Sequence, residues 1–371
     1  MAPAGRGLPA PLMGERGPQV TAPAAVRASW NGGENAYPKK VATQAGQGPA
    51  PQRQVSVRVG LRSTQPIRTQ VGPRRSNALS DITNLGRAVG KMKKAQTQEG
   101  EADALVPAPA GEMPQMVTEY APEIFQRLFR EEMLYLPRAS YMEQQTDVNA
   151  KMRAILVDWL VEVAMKYQVR RETLYLTVNL IDRYLSRMPV MRKKLQLLGV
   201  VAMFVAAKFE EIEPPRVKDF VYITDNTYTK DEIFEWECQL LSILDFQMVA
   251  PTPAHFLDML LRANRCEDVH SELVQYILEL SLLEFRLICY PPSHLVSAAL
   301  LLSNELLGRR PLWPASMVQT SNHPEHSLQT CAEEMRRILE GAPEAQLQAV
   351  RKKYSLQQHR RVAQMSFTES I

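Results

Sequence analysis

Two groups of side chains in the second half of the chain are of the types that carry chemistry. Glu210 and Glu211 form a carboxylate pair of the kind used in acid–base catalysis, and His323 and His326 could begin a metal site. Adjacent helical residues point about 100° apart, so the two carboxylates cannot act on one substrate. The histidines lie in a predicted loop with no further ligand nearby in sequence. We therefore predict no catalytic residue, no metal site and no cofactor.

Charged side chains inside apolar runs are a second kind of candidate. Arg153 lies in Met152–Val163, whose apolar residues cover nearly every side of a helix, as in a central, buried helix. Burying a guanidinium is costly unless an opposite charge matches it. Lys208 follows the uncharged apolar run Leu197–Ala207, so we expect it at a helix end. The residues alone also allow Arg153 and Lys208 to be ordinary solvated surface charges.

The elements that position these residues are helices. From residue 117 onward apolar residues recur every three or four positions, and no strand-like alternation is sustained. The pattern predicts helices over Glu119–Tyr135, Asn149–Tyr167, Glu172–Arg187, Lys194–Glu211, Val217–Thr224, Asp231–Leu244, Ala254–Ala263, Ser271–Glu284, Ser293–Leu307, Trp313–Gln319, His326–Glu340 and Pro343–Tyr354. Thr229 and Glu232 fit a capping box. Apart from one additional helix on each side, these make two bundles of five helices separated at Pro251-Thr252-Pro253, so the predicted fold is all-α.

The first 115 residues differ in composition from the rest. They hold 14 of the 17 glycines and 13 of the 26 prolines, with 15 Lys and Arg against 7 Asp and Glu. Such a segment buries too little apolar surface to offset the entropy of ordering, so we predict a disordered, basic tail. The remainder carries 29 basic against 33 acidic residues. A mildly acidic body argues against a folded part that binds nucleic acid.

Cysteine spacing and hydropathy indicate where the chain belongs. The four cysteines lie far apart without a Cys-x-x-Cys pair, at Cys238, Cys266, Cys289 and Cys331. This usage favours a reducing, intracellular compartment and disfavours a zinc site. The longest uncharged apolar run, Leu197–Ala207, is too short to cross a membrane, and the N-terminus shows no apolar signal core. We expect a soluble intracellular protein.

Several motifs of this chain together resemble the first cyclin box of the mitotic cyclins, most closely the A type. They are Met152–Val163, Lys194–Leu197, Lys208–Ile212 and Phe220–Asp225. The resemblance is strong over residues 141–252 and weaker over 253–360. Ala207 and Trp236 depart from it, since the family usually has Ser and Met there.

The resemblance implies an architecture and a function. It implies a disordered regulatory tail over 1–115, cyclin boxes of five helices each over 116–250 and 251–360, and a flexible C-terminus over 361–371. It also implies the activating regulatory subunit of a cyclin-dependent protein kinase, acting in cell division and in mitosis without catalytic activity of its own. Which kinase, which phase of the cycle, and whether the A or B label fits better are left open.

The family resemblance also implies a surface that contacts the kinase. Lys208 and Glu237 would hydrogen-bond the backbone around the mobile C helix of the kinase. Phe209, Phe246 and Met248 would supply the apolar contacts beside them. The alternative, that Lys208 and Glu237 form a solvated surface pair, would make them worth less than about 1 kcal/mol.

A second implied surface is a docking groove for Arg-x-Leu segments of substrates and inhibitors. Its members by position are Met152, Ile155, Leu156, Trp159, Glu162 and Gln196. Apolar side chains would receive the leucine, and Glu162 would pair with the incoming basic residue. The resemblance further implies a structural ion pair between Arg153 and Asp182.

The tail contains a segment similar to the destruction box of B-type cyclins, which a ubiquitin ligase recognises. Leu79, Ile82 and Asn84 stand in register, whereas Arg75 lies one residue early. Possible ubiquitin acceptors follow at Lys91, Lys93 and Lys94. A chance match in a low-complexity tail is the alternative. The basic clusters at 73–75 and 91–94 could aid nuclear import, so we expect localisation to nucleus and cytoplasm.

A different class of protein also uses the cyclin fold, namely general transcription factors that bind DNA. Such proteins carry an N-terminal zinc ribbon and a basic second repeat. Here the first 115 residues contain no cysteine and the folded part carries a net negative charge. The sequence therefore favours the kinase subunit over the DNA-binding alternative.

Overall fold

Residues 120–366 are described by a computed structural model, and this part of the chain is helical without a β-strand. The helices are α1 Ala121–Glu131, α2 Ala150–Tyr167, α3 Arg171–Leu185, α4 Arg192–Glu210, α5 Val217–Ile223, α6 Lys230–Ile243, α7 Pro253–Ala263, α8 Asp268–Ser281, α9 Pro292–Leu306, α10 Ala315–Ser321, α11 Glu325–Gly341 and α12 Ala349–Tyr354. Short 3₁₀ segments cover Glu132–Tyr135, Tyr141–Gln144, Phe285–Cys289, Gln357–His359 and Val362–Gln364.

The helices form the two predicted bundles. Helices α2 to α6 make the first and α7 to α11 the second, which confirms the all-α, five-plus-five architecture. Each bundle has one helix that is buried almost throughout. In α4 every residue from Leu195 to Ala207 is buried, and in α9 every residue but one from Pro292 to Asn304. Among the helices described, none is long and apolar enough to span a bilayer.

A close crossing of α2 and α4 sets the geometry of the first bundle. A Cβ added at Gly199 of α4 would lie 2.7 Å from Leu156 Cδ1 of α2. Real Cβ atoms essentially never approach another atom so closely, so a larger residue at position 199 would force the buried Leu156 side chain to shift. The two helices therefore pack with less separation than a larger residue would allow.

Helix starts follow local chemistry that the sequence makes visible. The Asn149 side chain accepts a hydrogen bond from Met152 N at 3.0 Å and caps α2. Thr229 Oγ1 accepts from Glu232 N at 3.2 Å, while Glu232 Oε2 accepts from Thr229 N at 3.0 Å. The predicted capping box at the start of α6 is thus confirmed.

Two predictions about the C-terminal end need correction. The last helix was predicted from Pro343, but it begins at Ala349. The intervening segment is a turn, in which Gln348 Nε2 donates to Ala342 O at 2.8 Å and to Ala345 O at 2.7 Å. The flexible terminus was predicted from residue 361, yet Val362 is fully buried. The folded part therefore continues through the segment Val362–Gln364.

Ion-pair and aromatic contacts join the two bundles. Arg171 Nη2 of α3 lies 2.6 and 2.7 Å from the two carboxylate oxygens of Asp258 in α7. The rings of Phe129 and Phe256 lie 5.0 Å apart, so α1 also reaches the second bundle. The buried apolar residues of both bundles also form one continuous core.

Asp158 links the first bundle to the last helix. Its Oδ1 accepts a hydrogen bond from Ala349 N at 3.0 Å, so a carboxylate of α2 satisfies an amide at the start of α12. Burial raises the pKa of Asp158 to about 6; the Ala349 amide and Lys352 oppose this shift, and Glu162 adds to it. The charged form is therefore disfavoured in the folded chain.

The most buried charge is Arg153. Its Nε and Nη2 each donate to one oxygen of Asp182 at 2.7 Å, and the two side chains are 1% and 5% exposed. Arg153 Nη1 donates to Leu282 O at 2.8 Å, and Tyr141 Oη donates to Asp182 Oδ1 at 2.8 Å. Although burial opposes the charge, Asp182 holds the pKa of Arg153 above its ordinary value. The predicted partners are thus in direct contact.

We predict that Arg153→Met lowers the free energy of unfolding by ~3–5 kcal/mol, because it leaves the Asp182 carboxylate buried without its cation. Arg127→Met is the matched control, since Arg127 pairs with Glu131 on the surface of α1 and is 66% exposed. That change should cost less than about 1 kcal/mol. Denaturant titration of both variants measures the difference, and equal losses would contradict the assigned importance of the buried pair.

We predict that Asp158→Asn stabilises the chain at pH 8 by ~1–3 kcal/mol and by less at pH 5. Because the pKa of Asp158 is raised to about 6 in the folded state, the folded chain binds the extra proton and loses stability as pH rises through that value. Asparagine keeps the oxygen that accepts from Ala349 N but carries no charge.

The control for Asp158 is a carboxylate with the opposite shift. Asp147 accepts from Arg192 N at 2.8 Å, and this bond, together with the Arg192 side chain, lowers the pKa of Asp147. Asp147→Asn should therefore destabilise the chain at pH 8 and matter less at low pH. Unfolding curves at pH 5 and 8 decide the question: a stabilisation by Asp158→Asn that does not change with pH would overturn the assignment.

Candidate functional site

Lys208 and Glu237 form an ion pair on the surface of the first bundle. Lys208 lies in the last turn of α4 and Glu237 in the middle of α6, with side chains 40% and 14% exposed. Lys208 Nζ also lies 4.2 Å from the centroid of the Phe204 ring. A cation is favourable at the carboxyl end of a helix, and the aromatic face adds to its stability. The pair thus presents fixed polar groups beside solvent.

Large apolar side chains are exposed at the end of α4 and on the segments that follow α4 and α6. Phe209 is 49% exposed, and Phe246 after α6 is 67% exposed. Met248 is half-buried and packs against the core. Ile212 is 97% exposed, although the sequence analysis did not select it. The sequence did hold a signal for this exposure, since Ile212 is an apolar residue between the charged pair Glu210-Glu211 and two prolines.

This surface is suited to binding another protein. It combines exposed aromatic and aliphatic side chains with one charged pair, which is the usual composition of a protein interface. In the described part of the chain, no group of three or more His, Cys, Asp or Glu residues is arranged to hold a metal ion.

Glu210 and Glu211 have separate surroundings. Glu211 Oε1 accepts from Arg170 N at 2.7 Å and from the Thr173 hydroxyl, so it satisfies donors at the start of α3. Burial raises the pKa of Glu210, and the charge of Glu172 adds to the shift. The carboxylate of Glu211 therefore ties the end of α4 to α3.

Of the two histidines, His323 is in a structural position, whereas His326 is exposed. His323 Nε2 lies 2.9 Å from Ser293 Oγ, which donates to the buried Glu132 at 2.7 Å. Burial lowers the pKa of His323. This polar cluster joins the segment after α1 to the start of α9, a link that no local pattern signals.

The predicted docking residues lie largely in the core. Leu156 is 0% exposed, Trp159 1% and Gln196 6%, and Met152 is 9% exposed. Ile155 is half-buried and packs at the edge of the core. The side chains of Leu156 and Trp159 therefore belong to the interior and not to a surface that a peptide could reach.

Glu162 is the charged member of the predicted groove, and it is half-buried. Burial raises the pKa of Glu162, while Lys352 of α12 opposes the shift. Of the six residues predicted to form a groove, only Ile155 and Glu162 are partly exposed. The predicted degron residues Arg75, Leu79, Ile82 and Asn84 lie outside the described residues.

Two arginines at the end of α3 were missed by the sequence analysis. Arg183 Nη1 donates to Gln247 O at 3.0 Å, and Arg187 Nη1 lies 2.8 Å from Asp245 Oδ2. Both therefore hold the segment that carries Phe246. Each contact spans more than 50 residues of sequence, so no spacing rule points to it.

Comparison with known proteins identifies the family. A model described as "Cyclin, N-terminal domain" matches residues 123–249, and one described as "Cyclin, C-terminal domain" matches residues 251–368. The fold resembles that of a viral cyclin from herpesvirus saimiri with a TM-score of 0.53, at 22% identity, covering 58% of this chain and 96% of that one.

Two curated relatives show the extent of the sequence similarity. "G2/mitotic-specific cyclin-B" of Marthasterias glacialis is 41% identical over 65% of this chain and 62% of its own length. "Cyclin-A1-4" of Oryza sativa subsp. japonica is 39% identical over 79% of this chain and 85% of its own length. The chain also spans less than two thirds of the length of several A-type relatives. Since both family models and a largely covered relative agree, this chain belongs to the cyclin family.

Proposed function

We propose that the chain is the activating regulatory subunit of a cyclin-dependent protein kinase in the cell-division cycle, with no catalytic activity of its own. The observation that carries the proposal is the Lys208–Glu237 pair with exposed Phe209 beside it. Phe246 and Met248 would extend the contact from the segment after α6.

The proposed mechanism is a population shift in the kinase. An active protein kinase needs an ion pair between its β3 lysine and a glutamate of its C helix. A partner that binds the inward position of that helix more tightly than the outward one raises the active population. A few kcal/mol of differential binding is enough to make a minor state dominant. Lys208 and Glu237 would supply directed hydrogen bonds, and the aromatic residues the buried area.

The second part of the proposal is substrate choice. A substrate or inhibitor carrying Arg-x-Leu would place its basic residue against Glu162 and its leucine beside Ile155. Leu156 and Trp159 are buried and would not contact the substrate directly. Because little surface is exposed here, docking would be weak and reversible.

Degradation and localisation are proposed on the sequence alone. The segment around Leu79 is similar to a destruction box, which would recruit a ubiquitin ligase, and the basic clusters of the tail would support a nuclear as well as a cytoplasmic population. DNA binding by the folded part remains the rival function. The net negative charge of the folded part disfavours DNA binding, because contacts to phosphate groups need clustered Lys and Arg.

We predict that Lys208→Ala raises the concentration of chain needed for half-maximal kinase activation by ~tenfold, since a hydrogen bond to a charged group contributes ~1.5–3 kcal/mol. The measurement is phosphorylation of a short Ser-Pro peptide while the full chain is titrated into a purified monomeric cyclin-dependent kinase.

Lys194→Ala is the matched control for Lys208→Ala. Lys194 also belongs to α4 and pairs with a glutamate of α6, Glu232, at 3.0 Å. This change should shift activation by less than about twofold, as expected for an ordinary surface pair. Equal effects of the two changes, or no activation by the unchanged chain, would rule against the proposed kinase contact. Salt-sensitive binding of duplex DNA would then favour the rival.

We predict that Glu162→Gln raises the KM of an Arg-x-Leu protein substrate by ~3–10-fold and leaves the kinetics of a short peptide unchanged. Trp159→Ala is a poor test, because truncating a core tryptophan costs ~3–5 kcal/mol in stability. Glu344→Gln, at an exposed glutamate outside the groove, is the control. A uniform change with both substrates would show that Glu162 acts on the fold rather than on docking.

A further inference from the structure

The turn after α6 has an unusual backbone. Phe246 N donates to Leu241 O at 2.9 Å, and Asp245 N donates to Ser242 O at 3.2 Å, which is a Schellman ending of the helix. Asp245 has φ +54° and Phe246 has φ +56°. The first left-handed position is usual for this motif, though normally occupied by glycine. The second holds an aromatic residue at a cost of ~1–2 kcal/mol.

Two guanidinium groups hold this turn from one side. Arg187 Nη1 donates to Ile243 O and lies 2.8 Å from Asp245 Oδ2. Arg183 Nη1 donates to Gln247 O at 3.0 Å. Together these contacts reach Ile243 and Asp245 before Phe246, and Gln247 after it. Its backbone is therefore fixed by neighbours on either side, although no bond involves its own side chain.

Burying Arg183 in order to hold this turn lowers the stability of the fold. It is 5% exposed, its Cζ lies 5.2 Å from the Tyr135 ring centroid, and Asn179 Oδ1 accepts from it at 3.3 Å. Within residues 120–366 its Nη2 has no hydrogen-bond partner. Burial and the nearby charge of Arg187 lower the pKa of Arg183 to about 10. A buried cation without a carboxylate partner costs stability, so the bond to Gln247 O has to be valuable.

The conformation of Phe246 closes the end of α6 through its backbone amide, but it buries little of the Phe246 side chain. The Phe246 side chain is 67% exposed, so the turn directs a large apolar ring into solvent. Strained backbone that persists because surrounding residues determine it is found at binding and active sites. The strain and the exposure together indicate a ring held ready for a partner.

We propose that Arg183 and Arg187 are positioning residues that hold Phe246 in its binding conformation before the kinase arrives. This inference rests on the proposed kinase-subunit function and adds a role to two residues outside the contact surface. Pre-ordering the turn lowers the entropy lost on binding, since the ring does not have to be arranged in the complex. Arg187 has an exposed side chain and can be replaced with little risk to the fold.

The test is a double-mutant cycle on the full chain, with kinase affinity as the readout. Arg187→Ala alone and Phe246→Ala alone should each weaken binding by at least about threefold. The double variant should bind no more weakly than Phe246→Ala, because the arginine acts only through the ring. Unfolding free energies measured on the same four proteins show whether each variant is folded when its kinase affinity is measured.

Arg192→Ala is the control for the cycle. Arg192 is another exposed arginine in an ion pair, with Asp147 at 2.7 Å, and its loss should leave kinase affinity unchanged in either background. If Phe246→Ala weakens binding but Arg187→Ala does not, or if their effects add, the positioning role is overturned while the proposed function stands. If the unchanged chain fails to bind the kinase, both are overturned.

Discussion

The buried guanidinium of Arg153 constrains the rest of the structure. A cation in the interior must have its donors satisfied, and here they are met by Asp182 of α3 and by Leu282 O at the carboxyl end of α8. That carbonyl belongs to the unsatisfied end of a helix, where a positive charge is favourable. Tyr141 adds a further donor to the same carboxylate. Three separate segments and α2 itself thus meet at one charge, which fixes the second bundle against the first.

The positions of the surface groups depend on that arrangement. Leu156 of α2 packs against Gly199, which places α4 and the lysine at its end. The rings of Tyr184 and Trp236 stack 6.2 Å apart and join α3 to α6. Trp236, where the family usually has Met, therefore fills a contact rather than disturbing one. Closely packed side chains therefore connect the buried Arg153 to the surface that carries Lys208. In a dense core, a small shift of one side chain displaces its neighbours.

Much of the fold could be predicted from the sequence, since helices leave a local periodic pattern. The capping box at Thr229 and the buried run Leu197–Ala207 are signals of that kind. The predicted start of α12 was wrong because the real start depends on a hydrogen bond from Ala349 N to Asp158, which lies 191 residues away in sequence. Arg183 and Arg187 were missed for the same reason: their acceptors are remote in sequence. For the predicted groove, the residue types show that the side chains are apolar. That Leu156 and Trp159 are buried depends on the packing of several helices and could not be predicted from sequence.

The two proposed surfaces differ in a way that suits different lifetimes. Around Phe246 the chain accepts backbone strain and buries an arginine, so a large ring is exposed in a fixed position. A pre-ordered ring loses little entropy on binding and favours a long-lived complex. Around Glu162 most of the apolar surface is already used by the core, so little area remains for a peptide. The proposed kinase contact would therefore be long-lived and the proposed substrate docking brief, because the two sets of side chains divide their area differently between the interior and a partner.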